Sequence, residues 1–364
     1  MIHGDADPVL ATVSPAERAA MDRALELAAL GPAHGPNPRV GCVLLSPDGR
    51  RVAEGWHAGA GTPHAEAAAL TAARGVDLTG ATAVVTLEPC SHTGRTPPCD
   101  TALLAAGVAR VVYAVDDPNP AAQGGAARLR AGRVDVVGGV REEQSRALLR
   151  VWLHAVTHRR PFVTVKLAAS LDGRSAAADG SSRWITSPES RAHAHGVRAT
   201  VDAIAVGTGT VLADDPALTA RTPDGDLAGH QPLRVVVGRR HVPQGARLRD
   251  GSELLHLATH DVGEVLAHLW GREIRHLLVE GGPTLAAAFL RSGLVDEVHA
   301  YVAPVLLGAG APAVADLGVS TIGSALRLQP REVLHLGPDV LMIADVPARP
   351  SDPAGADGPL EEES

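Results

Sequence analysis

Lysine is nearly missing from this chain of 364 residues: its 33 basic residues are arginine throughout, with the single exception of Lys166. Aromatic residues make up only 2%, which excludes a stacking platform for single-stranded nucleic acid. Asp and Glu number 41 and leave a formal charge of −8, so a polyanion is not expected as the main partner. Three cysteines, Cys42, Cys90 and Cys99, are too few for a disulfide framework. The opening residues, MIHGDADPVL, lack the basic and apolar blocks of a signal peptide. The longest uncharged stretch, Ala300 to Ala315, is only about 16 residues and carries Pro and Gly, too short and broken to span a bilayer. These absences leave a soluble protein of a reducing, cytoplasmic compartment, with no nucleic-acid or membrane partner. What is present, 45% hydrophobic and 20% charged residues, is globular composition. At roughly 150 residues per domain the length suggests two domains.

Along the chain, Leu10 to Leu30 reads as a helix with Ser14 as N-cap and Pro15 at its first position. Val40 to Leu45 and Val52 to Trp56 read as a hairpin, His64 to Ala73 as a helix, and Ala83 to Leu87 as a buried strand. Helices at Asp100 to Ala106 and Ala126 to Arg130 alternate with strands at Val108 to Val115 and Val134 to Val137, which is the pattern of an α/β layer. A second run begins after the basic segment His154 to Arg160. Its strands are Phe162 to Leu167, Asp202 to Val206, Leu233 to Val237, Leu254 to Leu257 and Leu277 to Val279; its helices are Pro188 to Ala199, Val262 to Leu269 and Thr284 to Arg291. The domains are therefore expected at 1–157 and 160–347, followed by a disordered tail at 348–364.

His64-Ala65-Glu66 opens one helix, Pro89-Cys90 follows a strand, and Cys99 lies nine residues further on. One imidazole and two thiolates are the ligand number of a catalytic zinc that keeps its fourth position open. Glu66, two residues from His64, is placed to move protons to and from the attacking water. This is the layout of zinc-dependent base deaminases. Two plainer readings compete with it: core thiols beside a capping histidine, or a structural zinc completed by His92. Cys42, in mid-strand, reads as a packed apolar residue.

In the second half, Val279-Glu280-Gly281-Gly282-Pro283-Thr284 and Gly207-Thr208-Gly209-Thr210 are strand-to-glycine turns. Bare N–H groups at such turns either cradle a phosphate or simply reverse the chain. Asp214-Asp215-Pro216 reads as a ligand loop or a turn, Arg198 as a ligand or helix decoration, and Trp184 as a ligand wall or core. Lys166, where arginine evidently does not serve, fits a compact ammonium meeting a ligand carbonyl or phosphate.

The string Glu88-Pro89-Cys90-Ser91-His92-Thr93-Gly94-Arg95-Thr96-Pro97-Pro98-Cys99 resembles the bifunctional riboflavin-biosynthesis deaminase–reductase family. So do Asn37-Pro38-Arg39-Val40-Gly41-Cys42, Gly61-Thr62-Pro63-His64-Ala65-Glu66 and Asp117-Pro118-Asn119-Pro120. In the second half Lys166-Leu167-Ala168-Ala169-Ser170-Leu171-Asp172-Gly173-Arg174, Trp184-Ile185-Thr186-Ser187, Val211-Leu212-Ala213-Asp214-Asp215-Pro216 and Val279-Glu280-Gly281-Gly282-Pro283-Thr284-Leu285 continue the match. The chain departs from the family at Thr93, often a second histidine, at Asp100, often a further cysteine, and in the looser segment after Pro120.

The resemblance implies a cytidine-deaminase-like α/β/α domain followed by a dihydrofolate-reductase-like α/β domain. It implies hydrolysis of the exocyclic amine of 2,5-diamino-6-(5-phosphoribosylamino)pyrimidin-4-one, then NADPH-dependent reduction of the ribosyl group to ribityl, and self-association of the enzyme. By the same resemblance His64, Cys90 and Cys99 hold Zn2+ and Glu66 is catalytic. Ala168, Trp184, Thr210, Asp214 and the run Gly282, Pro283, Thr284, Leu285, Ala286, Ala287 and Ala288 line NADPH. Asn37, Lys166, Ser182, Arg198, Leu218, Arg221 and Glu280 contact substrate, the two arginines suiting a 5′-phosphate. A nucleic-acid-editing deaminase would instead need a basic face, and a zinc-stapled regulatory protein would have no need of Glu66.

Overall fold

The computed structural model describes residues 12–91, 98–120, 122–251 and 253–347. The expectations for His92, for Thr93 and for the tail lie outside these residues. The chain divides into two compact units. The first holds the chain up to Phe162 together with Thr200–Asp202 and Leu266–Leu277; the second holds Val163–Ala199, Ala203–Val265 and the chain from Leu278 on.

The first unit opens with α1 (Pro15–Ala29). Ser14 Oγ accepts the Glu17 N–H at 3.2 Å and Glu17 Oε2 accepts the Ser14 N–H at 2.7 Å, a reciprocal cap that fixes where the helix starts. Strands β1 (Gly41–Leu45), β2 (Arg51–Trp56), β3 (Thr82–Leu87), β4 (Arg110–Val115) and β5 (Asp135–Val137) form one sheet in the order β2-β1-β3-β4-β5. β1 runs antiparallel to β2 and β3, whereas β3, β4 and β5 are parallel. β1, β3 and β4 are buried almost end to end, as their unbroken apolar runs require. Helices α2 (Ala65–Ala72), α3 (Cys99–Ala105) and α4 (Gly125–Ala131) follow their strands, and α5 (Glu142–His158) packs against β4.

Two glycines let the backbones around His64 and Cys90 approach. A Cβ at Gly55 would sit 2.4 Å from the Ala69 nitrogen, so α2 lies directly on β2. A Cβ at Gly125 would sit 1.7 Å from the Pro89 oxygen, so the start of α4 presses on the turn that carries Cys90.

The second sheet has eight strands: β6 (Phe162–Ser170), β7 (Ala203–Gly207), β8 (Leu233–Val237), β9 (Leu254–Leu257), β10 (His276–Val279), β11 (Glu297–Ala303), β12 (Gln329–Leu336) and β13 (Asp339–Asp345). Their order is β12-β13-β11-β6-β10-β7-β8-β9. β11 runs parallel to β6, with Ala168 opposite Tyr301, and β7, β8 and β9 are parallel. β13 is antiparallel to both β11 and β12. Helices α6 (Pro188–Arg198), α7 (Thr208–Asp214), α8 (Val262–Gly271) and α9 (Pro283–Ser292) complete this half.

Several elements differ from the expectation. Residues 142–158 are one helix, with Leu149, Trp152 and Leu153 buried along it; the basic stretch taken for a joint is its last turn. The Gly207–Thr210 loop is the start of α7, and Asp214 is that helix's last residue. β11, β12 and β13 were not anticipated. Among the described residues no helix is long and apolar enough to cross a membrane.

Candidate functional sites

In the first unit His64 precedes α2 with extended backbone (φ −66, ψ 160), yet its ring does not cap the helix. It turns toward two sulfurs instead: Nδ1 lies 3.6 Å from Cys90 Sγ and 3.3 Å from Cys99 Sγ. The three ligand atoms lie within 4.8 Å of one another. Cys99 is the first residue of α3, and the Asp100 N–H donates to the Cys90 carbonyl at 3.2 Å, which ties the two cysteine segments together. Cys42 is fully buried in β1 and packs as an apolar residue.

The electrostatics suit a cation. Cys99 donates its proton toward Cys90, and with His64 beside it the Cys90 thiol falls to about 4. That same bond to Cys90, together with burial, pushes Cys99 up, so the two sulfurs share one negative charge. Cys90 in turn raises His64. A dication within reach of all three groups would displace the proton of the second thiol and that of the imidazolium together. One histidine and two cysteines are a fitting donor set for zinc with an open position.

Glu66, 4% exposed, sits in the first turn of α2, where burial raises its carboxyl to about 7. It shares with His64 and Cys90 a cavity of about 630 Å3 that Asn37, His57, Asn119 and Trp152 also line. His57 Nδ1 faces the Pro63 carbonyl at 3.0 Å, which can only accept, so Nδ1 carries the hydrogen. Its Nε2, 2.9 Å from Asn37 Nδ2, accordingly accepts the amide N–H. Burial lowers the pKa of His57, which favours this neutral form. Trp152 Nε1 donates to the Pro36 carbonyl at 3.1 Å, fixing the same loop from α5. Glu88 anchors the far side by accepting the N–H groups of Asp117 (3.2 Å) and Ala126 (2.9 Å). The sequence reading missed His57, since a lone histidine next to a strand announces nothing by itself.

The second unit has a cavity of about 510 Å3. Lys166, Ala168, Ser182, Trp184, Arg198, Thr210, Asp214, Leu218, Arg221 and Glu280, all singled out from sequence, line it. Arg198 grips Glu280 with Nε and Nη2 at 2.7 and 2.8 Å, and its Nη1 donates to the Thr219 carbonyl at 3.0 Å. Burial pushes Glu280 up, but Arg198 and then Lys166 overcome it and hold the carboxyl at about 2. Lys166 Nζ lies 3.9 Å from Glu280 Oε2, and burial pulls its pKa down.

Trp184 is 68% exposed, so it is a wall of the cavity and not core; the guanidinium of Arg191 lies 4.5 Å from its ring centre. The run Gly282–Ala288 is placed differently from its neighbours. The Gly282 N–H donates to Thr210 Oγ1 at 3.1 Å, but Ala286 and Ala287 are buried in α9. The N–H groups of Leu285 and Ala286 are already bonded to the Gly282 carbonyl. Tyr301 also lines the cavity and was not anticipated, because β11 was not.

Residues 15–115 match the family described as the cytidine and deoxycytidylate deaminase zinc-binding region, and residues 161–342 the one described as the RibD C-terminal domain. The chain is 54% identical to the riboflavin biosynthesis protein RibD of Mycobacterium tuberculosis, over 84% of this chain and 90% of that protein. It is 43% identical to the Escherichia coli protein of the same name, over 88% and 97%. Among solved structures it is similar to Acinetobacter baumannii RibD, with a TM-score of 0.83 and 38% identity over 91% of this chain and 98% of that one. It is similar also to the Thermotoga maritima diaminohydroxyphosphoribosylaminopyrimidine deaminase/5-amino-6-(5-phosphoribosylamino)uracil reductase, with a TM-score of 0.82 and 34% identity over 91% and 99%.

Proposed function

The chain belongs to the RibD family, the bifunctional deaminase–reductases of riboflavin biosynthesis, and from that premise we propose which substrates and residues serve each half. The first reaction removes the exocyclic amine of 2,5-diamino-6-(5-phosphoribosylamino)pyrimidin-4-one by hydrolysis. The second reduces the ribosyl group of that product to ribityl. The observation that carries the first assignment is the meeting of His64, Cys90 and Cys99 beside a buried Glu66 in one cavity.

Zinc, when bound by His64, Cys90 and Cys99, supplies the Lewis acidity that makes a water nucleophilic at neutral pH. Glu66, held near neutrality, takes the proton of that water and returns one to the departing ammonia. Asn37, its amide N–H committed to His57, keeps its carbonyl oxygen for the pyrimidine edge.

In the second half NADPH supplies the hydride. We assign residues 160–347 to this domain and 1–157 to the deaminase. Ala168, Trp184, Thr210, Asp214 and the backbone at Gly282 to Ala288 are the proposed cofactor contacts. Lys166, Ser182, Leu218 and Glu280 are the proposed substrate contacts. Arg198 commits three nitrogens to Glu280 and Thr219, whereas Arg221 gives Nη1 to the Gly225 carbonyl, so Arg221 is the arginine we assign to the 5′-phosphate. We further propose a cytoplasmic enzyme without nucleic-acid partners, which sizing in solution should show to be a homo-oligomer.

The test supplies the diaminopyrimidine phosphate with and without NADPH, following ammonia and the near-ultraviolet absorbance of the coenzyme. Ammonia is expected in both cases and coenzyme oxidation only with NADPH. Ammonia release without subsequent NADPH oxidation would overturn the reductase assignment. Metal analysis should find about one zinc per chain and strongly reduced zinc in Cys99→Ala.

A further inference from the structure

Tyr301 is 2% exposed and lines the reductase cavity from β11. Its hydroxyl lies 2.8 Å from His193 Nδ1; burial and then the charge of Glu280 raise its pKa, with Arg198 acting the other way. His193 belongs to α6 and is only half-buried, so part of the residue reaches solvent. The imidazole thus joins a half-buried position on α6 to the hydroxyl of a cavity-lining residue.

Reducing a ribosylamine to a ribitylamine breaks the C1′–O4′ bond, adds hydride to C1′ and needs one proton on O4′. Glu280 is ionised and held by Arg198, and guanidinium groups do not release protons. Lys166 does carry protons, but its ammonium sits between Glu280, at 3.9 Å, and the face of the Tyr301 ring, 5.6 Å from its centre. Of these groups Tyr301 is the one whose hydroxyl meets a half-buried imidazole, that of His193 on α6.

We propose that Tyr301 is the acid of the reductive ring opening and that His193 is the relay that restores its proton. This rests on the ribosylamine reading given above. As C1′–O4′ breaks, its electron pair stays on O4′ and takes the phenolic proton, while hydride from NADPH adds to C1′. The phenolate then takes the Nδ1 proton of His193 as Nε2 takes one from solvent. Hydride and proton are both consumed, and the protein returns to its starting charge.

The experiment uses the full chain with the deaminated ribosylaminopyrimidine phosphate and NADPH. Tyr301→Phe keeps the ring against Lys166 and removes only the hydroxyl. Its kcat for reduction should fall by about 10²–10⁴-fold while NADPH and substrate still bind. His193→Ala should lose rate in the same way and regain it when imidazole is added, which a merely structural role would not do. In the unliganded enzyme, 15N spectra of labelled histidine should show the His193 signals moving in Tyr301→Phe. Wild-type kcat in Tyr301→Phe would overturn the proposal, and so would a folded His193→Ala that imidazole does not rescue. A collapse confined to Lys166→Met would make the lysine the acid. If Tyr301→Phe misfolds, the imidazole experiment decides. A wild-type enzyme inert toward this substrate would overturn the ribosylamine reading, and the proposal with it.

Discussion

Glu66 is a carboxyl buried so that its proton is available near neutral pH, two residues from His64 of the cluster that fits zinc. Glu66→Gln keeps its size but cannot carry a proton. Deamination is expected to drop by about 10²–10⁴-fold. Reduction of pre-deaminated substrate should continue, since the proposed reductase contacts line a cavity of the second unit; mass spectrometry of the products checks both. Glu280 is a different kind of carboxyl. Despite burial, Arg198 holds it at about 2 against an ordinary 4.5. A depressed carboxyl contributes stability above its ordinary pKa and loses that contribution as the pH falls toward the depressed value. Urea midpoints should therefore decline between about pH 4.5 and 2 for wild type, with a shallower decline for Glu280→Gln. At neutral pH, Glu280→Gln leaves Arg198 uncompensated and should cost about 3–5 kcal/mol. The His64, Cys90 and Cys99 cluster that fits zinc, with Glu66 beside it, was legible in the sequence because metal chemistry restricts which residue types can serve. His57 and Tyr301 were not, because each acquires its role from a residue far away in sequence, Asn37 in one case and His193 in the other.

Among the elements, α2 shows how a helix is aimed. It carries Glu66 in its first turn and rests on β2 through Gly55. Gly55→Val should push α2 away and cost about 1–3 kcal/mol as overpacking. It should also lower zinc content and deaminase rate together, which a thermal melt, metal analysis and ammonia assay would detect. The elements easiest to read carried local punctuation: Ser14 with Glu17 began α1, and glycine or proline bounded the short strands. β11 was missed because Glu297, His299 and Tyr301 are buried polar residues on one face of the strand, so its alternation did not look apolar-inside. Glu297 and Tyr301 find partners distant in sequence, Thr164 and Arg331 for the first and His193 for the second. β12 is mostly exposed and gave no core signal. α5 was hidden because its apolar stripe is interrupted by arginine and histidine on the other faces.

For the molecule as a whole, the break expected near residues 155–160 coincides with the end of α5, but the first unit also takes Thr200–Asp202 and Leu266–Leu277. Within that unit the Asp202 carboxylate accepts the N–H groups of Gly35, Arg275 and His276. A fragment ending at residue 160 lacks these segments, and it should melt below the first transition of the full chain by calorimetry. A fragment of residues 160–347 keeps the whole reductase cavity, and NADPH fluorescence would show whether that is enough for binding. The scarcity of lysine has a practical corollary at this scale. Apart from the chain's α-amino group, the protein has one alkyl amine, and it lies in the reductase cavity. Burial keeps a larger share of that amine unprotonated, and so nucleophilic, than on an exposed lysine. An acylating reagent thus becomes a single-site reporter: a tryptic mass map should show one internal adduct, which disappears when a phosphorylated sugar ligand fills the cavity.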